Sequence, residues 1–451
     1  MLSFFIEIIR TPAIVLGLVA LLGLILQREK ASQVFSGTVK TALGLLVLTG
    51  GTTIIVNEIL PFVDLFALVF NLEGFATSSE AVVGAIQGAV AEIASASAII
   101  LGAGFLVNIL LARFTPLKYI FLTGHMMWIL SVAIAASLYT GGFSYTTNII
   151  VGSILQGMIM VILPAIGQPM VRRVTGNDDF AIGHLTTLGT VTAGYIGGLL
   201  GDKSKSAEDI KVPESLEFFK DTALSVSIVM GIFYLLVVLL AGPEAVAEHA
   251  GESNYIIFGI LKALGFTSGI LIMLQGVRMF LGELVPAFKG ISDRLVPGAI
   301  PALDVPVLFA FAPKSLMIGF IFAVIGMIVA MFASSLAFGA VPLVSIIGAF
   351  FTGGVAGIYG NASGGRRGAM IAGFVYGFLL IFLSGFVFTI FDYAAYGAAG
   401  VGHDCIDVMV LITIMKQPYI GIGIILAAYI LLSYLEVKRR SRLSEQENVN
   451  N

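Results

Sequence analysis

Two histidines and one aspartate are the residues of this sequence best suited to binding a polar solute. His125 and His184 each directly follow a glycine, and Asp304 lies between Pro301 and Pro306, in segments that are otherwise mostly apolar. An ionisable side chain in such a segment is costly and usually either serves a function or pairs with another charge. Glycine leaves room for a ligand beside each imidazole. A carboxylate can accept hydrogen bonds from hydroxyl groups or act as a base toward one.

Each of these residues also has a purely structural alternative. The histidines can hydrogen-bond neighbouring helices, and Asp304 can cap the half-helix that follows it. Near the end of an apolar segment, Arg278 and Glu283 are at least as consistent with an orienting salt bridge between helices as with ligand contact. Two histidines alone do not complete a metal site, and no nucleotide-binding motif is present, so the sequence predicts neither a metal nor another cofactor.

The elements that position these residues are long apolar segments. Of the 451 residues, 58% are hydrophobic and 11% are charged, whereas soluble domains contain about 25% charged residues. The segments are continuously apolar rather than alternating, which favours helices over barrel strands. With about 20 residues needed for each span, the sequence predicts an all-α polytopic membrane protein with about eleven transmembrane helices. The predicted spans are 13–27, 41–56, 93–112, 119–138, 148–163, 222–240, 255–281, 315–336, 341–359, 370–388 and 408–432.

Two further segments, 60–87 and 290–313, are too polar or too broken for a plain span. The second contains four prolines, which prevent one continuous helix. Irregular backbone at membrane depth occurs where protein or a water-filled cavity satisfies it, so both segments are predicted to be re-entrant hairpins. Their similar positions in two halves indicate inverted repeats. The predicted organisation is a first membrane half at 1–170, a cytoplasmic linker with a half-helix at 171–221, a second half at 222–435 and a cytoplasmic tail at 436–451, disordered after residue 433.

Charge and cysteine content narrow the function. Basic residues follow the first span, cluster within the central linker and follow the last span. The positive-inside bias therefore places the N terminus outside and the C terminus in the cytoplasm. The net charge of −3 excludes a generally basic surface that binds nucleic acid. The single Cys405 excludes an internal disulfide, and its surroundings lack the electropositive loop that a phosphocysteine needs.

A longer set of motifs resembles one family of membrane transport proteins. Its residues are Gln275-Gly276-Val277-Arg278-Met279-Phe280, Glu283-Leu284, Ala287-Phe288, Gly290-Ile291-Ser292, Arg294-Leu295, Pro297-Gly298-Ala299 and Phe311-Ala312-Pro313, with Thr123-Gly124-His125, Ile182-Gly183-His184, Gly364-Gly365 and Arg367 in the same order. The sequence resembles EIIC, the membrane component of the ascorbate-type phosphoenolpyruvate:sugar phosphotransferase systems, over nearly its whole length.

The resemblance implies a homodimer in the bacterial cell membrane. It also implies an interface domain formed by the first, second, sixth and seventh helices, and a core domain with two re-entrant hairpins that moves as an elevator. A small sugar would be carried inward and phosphorylated by the phosphocysteine of a separate EIIB protein, which an EIIA protein supplies. The phosphoryl donor therefore lies on another chain, which leaves open whether this chain is itself an enzyme.

The family's ligand contacts fall on eight positions of this sequence, and only some of them keep the family's residue types. These positions are Thr49, Ser79, Glu80, His125, Ile129, His184, Leu185 and Asp304. The two histidines and the aspartate are kept. The family has glutamine at the positions where this sequence has Thr49, Ile129 and Leu185. It has a Thr-Tyr pair where this sequence has Ser79 and Glu80. Because a site built to hydrogen-bond a hydroxyl discriminates strongly against misfits, these departures bear on which sugar is bound.

Two function classes follow, and both expect polar groups at the middle of the membrane. In the first, the chain is the phosphotransferase permease. In the second, it is a proton- or sodium-coupled secondary transporter in which His125, His184 and Asp304 act as a relay. A membrane-embedded enzyme is disfavoured because the sequence has no metal motif and no nucleophile constellation.

Overall fold

The computed structural model of the chain describes residues 12–69, 79–210, 222–390 and 418–450. Its helices are α1 (Pro12–Leu26), α2 (Ala31–Val69), α3 (Ser79–Ala89), α4 (Ala91–Phe114), α5 (Gly124–Thr140), α6 (Tyr145–Thr175), α7 (Thr187–Leu200), α8 (Thr222–Ala250), α9 (Tyr255–Arg294), α10 (Pro313–Phe338), α11 (Ile346–Ile390) and α12 (Pro418–Asn450). Across these ranges eight helices are long and apolar enough to cross a membrane, and three shorter helices are also apolar. The predicted all-α polytopic membrane fold is confirmed.

The helices pack in two groups. In the first group, α2 and α9 lie together, with α1 and α8 against them. In the second, α4 to α7 pack with α10, α11 and α12. Glycine allows the close approach of α2 to α9: a Cβ atom on Gly51 would lie 2.3 Å from the backbone nitrogen of Met273, and one on Gly276 would lie 2.2 Å from that of Leu48. Small residues at such contacts are typical of helix packing in membranes.

Helix α11 contains most of the span predicted at 341–359, whose first five residues are not helical, and all of the span predicted at 370–388, and the chain reverses between them. Gly364 and Gly365 depart from helical geometry, and Gly365 has a φ of 62°, which a residue without a Cβ adopts at little cost. Beyond this turn, Gly368 and Ala372 lie beside Gly360. Helix α11 is therefore a helical hairpin rather than one straight span.

A small parallel sheet, which the sequence did not predict, lies among the helices. Its strands β1 (Tyr119–Phe121), β2 (Ala181–Ile182) and β3 (Ile300–Leu303) are arranged in the order β1-β3-β2. Strand β1 occupies the start of the span predicted at 119–138, so the helical prediction was wrong for its first residues. The helix α5 begins only at Gly124.

A proline in the central strand is tolerated because of its register. Ile300 and Ala302 direct their backbone hydrogen bonds toward β1, so Pro301 faces the side of β2. Pairing with β2 begins only at Ala302. The missing N–H of Pro301 therefore leaves no ladder hydrogen bond unmade.

The two segments predicted to be re-entrant hairpins differ from each other in structure. Residues 60–69 continue helix α2, residues 79–87 belong to α3, and residues 70–78 lie outside the described ranges. In the segment 290–313, α9 ends at Arg294, β3 follows, a 3-10 turn covers Val305–Leu308 and α10 begins at Pro313. Three of the four prolines lie in the strand, in the 3-10 turn and at the start of α10, so the segment is not one continuous helix.

The predicted linker contains the expected half-helix, and the predicted tail is more ordered than the sequence suggested. The 171–221 segment contains the end of α6, strand β2, the predicted half-helix as α7, and a loop to residue 210. Helix α12 continues to Asn450, so the prediction of disorder after residue 433 was wrong. Residues 211–221 and Cys405, and the start of the span predicted at 408–432, lie outside the described ranges.

Candidate solute-binding site

The carboxyl ends of the three parallel strands bring the predicted site together. Asp304 directly follows β3, His184 comes two residues after β2, and His125 comes four residues after β1 at the start of α5. Because the strands are parallel, these ends meet at one edge of the sheet. Residues from three distant parts of the sequence therefore share one site.

Asp304 lies between the two histidines. One carboxylate oxygen, Oδ2, is 3.9 Å from Nε2 of His125, and the other, Oδ1, is 3.9 Å from Nε2 of His184. These separations exceed a direct hydrogen bond. The three groups therefore face one another across a gap that the oxygen atoms of a solute can bridge.

His184 is held in a defined orientation. Its side chain is 4% exposed, and the backbone N–H of Thr186 donates to its Nδ1 at 3.2 Å. The hydroxyl of Thr186 lies 2.8 Å from the same atom. Since Nδ1 accepts, the neutral imidazole carries its proton on Nε2, which points toward Asp304. His125, by contrast, has a side chain that is 44% exposed.

Asp304 also has the capping role that the sequence allowed. Its Oδ1 accepts a hydrogen bond of 2.8 Å from the backbone N–H of Val305, at the start of the 3-10 turn. Its side chain is nevertheless 31% exposed. The cap thus fixes the carboxylate and leaves it accessible to a solute.

The three side chains face a cavity of about 330 Å³ between the two helix groups. This size is at the lower end of the range for small-molecule sites. Its wall combines hydroxyl groups with apolar side chains. The residues opposite the strand ends include Leu16, Leu45, Leu48, Thr49, Thr52, Val56, Phe280, Ile347 and Phe351.

Among the other predicted ligand contacts whose side chains the structure describes, only Thr49 lines this cavity. Its hydroxyl donates to the backbone oxygens of the preceding turn of α2. Ile129 and Leu185 are fully buried in one apolar cluster and do not line the cavity. Ser79 is buried at the start of α3. Glu80 follows it in α3, and its side chain lies outside the described part of the structure.

Arg278 and Glu283 do not reach the cavity wall. Glu283 pairs with Lys40 at 3.1 Å and so links α9 to α2. Arg278 is exposed on α9. The arrangement of Glu283 is that of the interhelical salt bridge considered above.

Several wall residues were not assigned from the sequence. Thr52 lies three residues after Thr49 on the same helix, and that spacing places both on one face. Thr123 belongs to the Thr-Gly-His motif, and Phe280 belongs to the longest motif that the family resemblance rests on. Neither residue was predicted to contact a ligand. No local sequence feature marked Phe351 as a wall residue, because only the tertiary fold brings α11 to the cavity.

The histidine and aspartate ligand atoms all lie within 4.8 Å of one another. A tetrahedral zinc site with bonds of about 2.0–2.1 Å places its ligand atoms about 3.3 Å apart. The observed separations of 3.9 Å are wider, so these residues would have to move together to hold zinc. The spacing suits a solute with several oxygen atoms better.

The fold and the site define a multi-pass membrane protein in which a mostly apolar cavity that contains two histidines and an aspartate lies between two packed groups of helices. Residues 7–404 match the EIIC-GAT family, the sugar-specific permease components of the PTS system. The chain belongs to this family. It is also 28% identical over 432 residues to the "Ascorbate-specific PTS system EIIC component" of Mycoplasma pneumoniae, and the match covers 84% of this chain. The chain spans only 65% of the length of that relative.

Proposed function

We propose that this chain is the sugar-transporting EIIC subunit of a phosphoenolpyruvate-dependent phosphotransferase system, and that it imports ascorbate or a related small sugar or sugar acid. The observation that carries the proposal is the position of Asp304 between His125 and His184 at the wall of the cavity. Family membership supports a sugar as the solute. The name of the Mycoplasma pneumoniae relative supports ascorbate in particular.

The proposed binding chemistry uses the gaps beside Asp304. A solute hydroxyl donates to the carboxylate, and Nε2–H of His184 donates to a neighbouring solute oxygen. His125, which is more exposed, contacts the solute from the opposite side. Thr49 and the apolar wall fix the shape of the bound molecule. In this arrangement Ile129 and Leu185 support the site from behind, and no contact is proposed for Ser79 and Glu80.

Phosphorylation is the proposed source of energy. A cytoplasmic EIIB protein carries the phosphocysteine, an EIIA protein recharges it, and Asp304 takes the proton of the attacking hydroxyl as a general base. The helix group α1, α2, α8 and α9 forms the interface of a homodimer, and the second group moves against it. The protein lies in the bacterial cell membrane with its N terminus outside and its C terminus in the cytoplasm.

The experiment that tests this proposal compares ascorbate uptake in two bacterial strains that express this chain with its EIIB and EIIA partners. One strain has the general phosphotransferase proteins and the other lacks them. Uptake should vanish in the second strain, while the amount of the chain in the membrane stays equal. Uptake that persists there and collapses when the ion gradient is dissipated would instead establish an ion-coupled secondary transporter.

A further inference from the structure

Three cations meet where helices α4 and α12 reach the amino end of the sheet. The guanidinium of Arg440 donates to the backbone oxygen of Pro116 at 3.1 Å. The ammonium of Lys118 donates to the backbone oxygen of Arg113 at 3.0 Å. We call Arg113, Lys118 and Arg440 the basic cluster. It lies outside the cavity described above.

The positive charge of the basic cluster is only partly balanced. Glu436 accepts from Arg440 at 2.9 Å but also from Arg439 at 2.8 Å, so its charge is shared. Within the described part of the chain, neither Arg113 nor Lys118 forms an ion pair. Burial, followed by the charges of Arg440 and Arg113, lowers the pKa of Lys118. The cluster therefore has an excess of positive charge, which favours a negatively charged group at this surface.

Apolar surface leads up to the cluster along both helices. On α4, Leu106, Leu110 and Phe114 are 62%, 54% and 77% exposed. On α12, Ile430 and Tyr434 are also strongly exposed. In a membrane protein such faces contact acyl chains, and an aromatic residue followed by basic residues is typical of the headgroup level. The basic cluster therefore lies at the depth of lipid phosphates.

We propose that the basic cluster binds the phosphate of an anionic phospholipid whose acyl chains lie along the exposed faces of α4 and α12. Basic pockets between membrane helices favour such headgroups. A protein partner fits less well, because the apolar surface that continues from the cluster belongs to segments long enough to cross the membrane. Helix α12 packs mainly on α6. The bound lipid thus strengthens the attachment of the end of α12 to α4, which the hydrogen bond from Arg440 to Pro116 already begins.

Native mass spectrometry of the purified full chain tests the proposal, with phosphatidylglycerol and phosphatidylcholine as the probes. The unmodified protein should retain phosphatidylglycerol in preference to phosphatidylcholine. Replacing a basic cluster residue with glutamine should weaken phosphatidylglycerol binding about fivefold for each cation removed. The matched control replaces Lys30, Lys203 and Lys205, which are exposed basic residues outside the cluster that we predict on the same side of the membrane; it should bind as the unmodified protein does.

The triple variant Arg113→Gln/Lys118→Gln/Arg440→Gln gives the largest expected change. If it fails to fold, Lys118→Gln alone is measured, because its side chain makes only one hydrogen bond in the described structure. Equal binding of the two lipids, or equal loss in the cluster and control variants, would overturn the proposal. Displacement of the lipid by millimolar inorganic phosphate would also overturn it, since that result defines a free-anion site.

Discussion

The two edges of the small sheet each carry an aspartate between basic groups, but the spacing differs. At the amino edge, Asp178 lies between Arg172, which donates to it at 2.9 Å, and Arg439 at 3.9 Å, and it also accepts from the neutral amide of Gln168 at 2.7 Å. At the carboxyl edge, Asp304 lies 3.9 Å from each of two histidines. The first carboxylate already has its partners. The second forms no direct hydrogen bond with either histidine, so a solute oxygen that lies beside the groups can bridge them.

The difference in partners matters as much as the difference in distance. Arginine is permanently charged and binds carboxylates through a rigid fork, so the pair at Asp178 is suited to holding α6 to the start of β2. Histidine can donate or accept and changes charge near neutral pH. Similar carboxylates on one sheet therefore have different surroundings: the one at the amino edge is already paired, and the one at the carboxyl edge faces the cavity in which we propose that the solute binds.

The largest expected effect is on transport by the variant Asp304→Asn. If Asp304 is the base, the amide cannot take the proton, and phosphorylation-coupled uptake should fall by about 10²- to 10⁴-fold. Ascorbate binding should weaken by only about 1.5–3 kcal/mol. Phosphoryl transfer from phosphorylated EIIB at saturating ascorbate and equilibrium binding are measured on the same purified variant.

The matched control for this prediction is Asp64→Asn. Asp64 also lies 3.9 Å from a histidine, His249, but away from the cavity. It should keep both transfer and binding. A variant at Asp304 that loses affinity and keeps its turnover at saturating ascorbate would make this residue a binding group only.

The next largest effect is expected for Ile129, which lies behind the cavity wall at the carboxyl edge of the sheet. Ile129 is fully buried and packed among apolar side chains, so an amide placed there has no evident partner. Ile129→Gln should lower the free energy of unfolding by about 2–4 kcal/mol and leave the preference among sugars unchanged in the folded fraction. Thermal unfolding in detergent and competition binding provide the two readouts. A stable variant with increased preference for ascorbate would show that residue 129 reaches the solute.

The smallest effect is expected at the amino edge. Although burial raises it, hydrogen bonds from Arg172 and Gln168 lower the pKa of Asp178 overall. Its contribution to stability is therefore present above the unfolded-state value of about 3.9 and is lost as the pH falls through the folded-state pKa. Asp178→Asn should cost about 1 kcal/mol at pH 7, and less at acidic pH, without changing ascorbate affinity. Asp179→Asn, at an exposed neighbour, is the control in thermal unfolding from pH 3 to pH 7. A loss of affinity in Asp178→Asn alone would contradict the division between the two edges.

Much of the fold could be predicted because continuous apolar segments leave few alternatives to membrane helices. The strands could not, because β1 and β2 are only two or three residues long and read as parts of apolar or polar segments. Proline content correctly indicated a break near Asp304. It gave no information on the strand register that lets Pro301 lie in a central strand.

The candidate site was partly visible in the sequence. His125, His184 and Asp304 stood out because charged groups are rare in apolar segments, and the structure places them together. Their separations depend on the sheet and could not be read from spacing. Ile129 and Leu185 were assigned contacts through the family resemblance alone, and the structure buries both behind the cavity wall. Phe351 could not be found because its approach is purely tertiary.

The most direct test of the central claim is a titration of two purified histidine variants with ascorbate. His184→Ala removes the buried imidazole that faces Asp304, whereas His249→Ala removes an imidazole at the same 3.9 Å distance from a carboxylate outside the cavity. We expect His184→Ala to weaken binding at least about tenfold and His249→Ala to bind like the unmodified protein. Unmodified affinity in a folded His184→Ala variant would contradict this expectation.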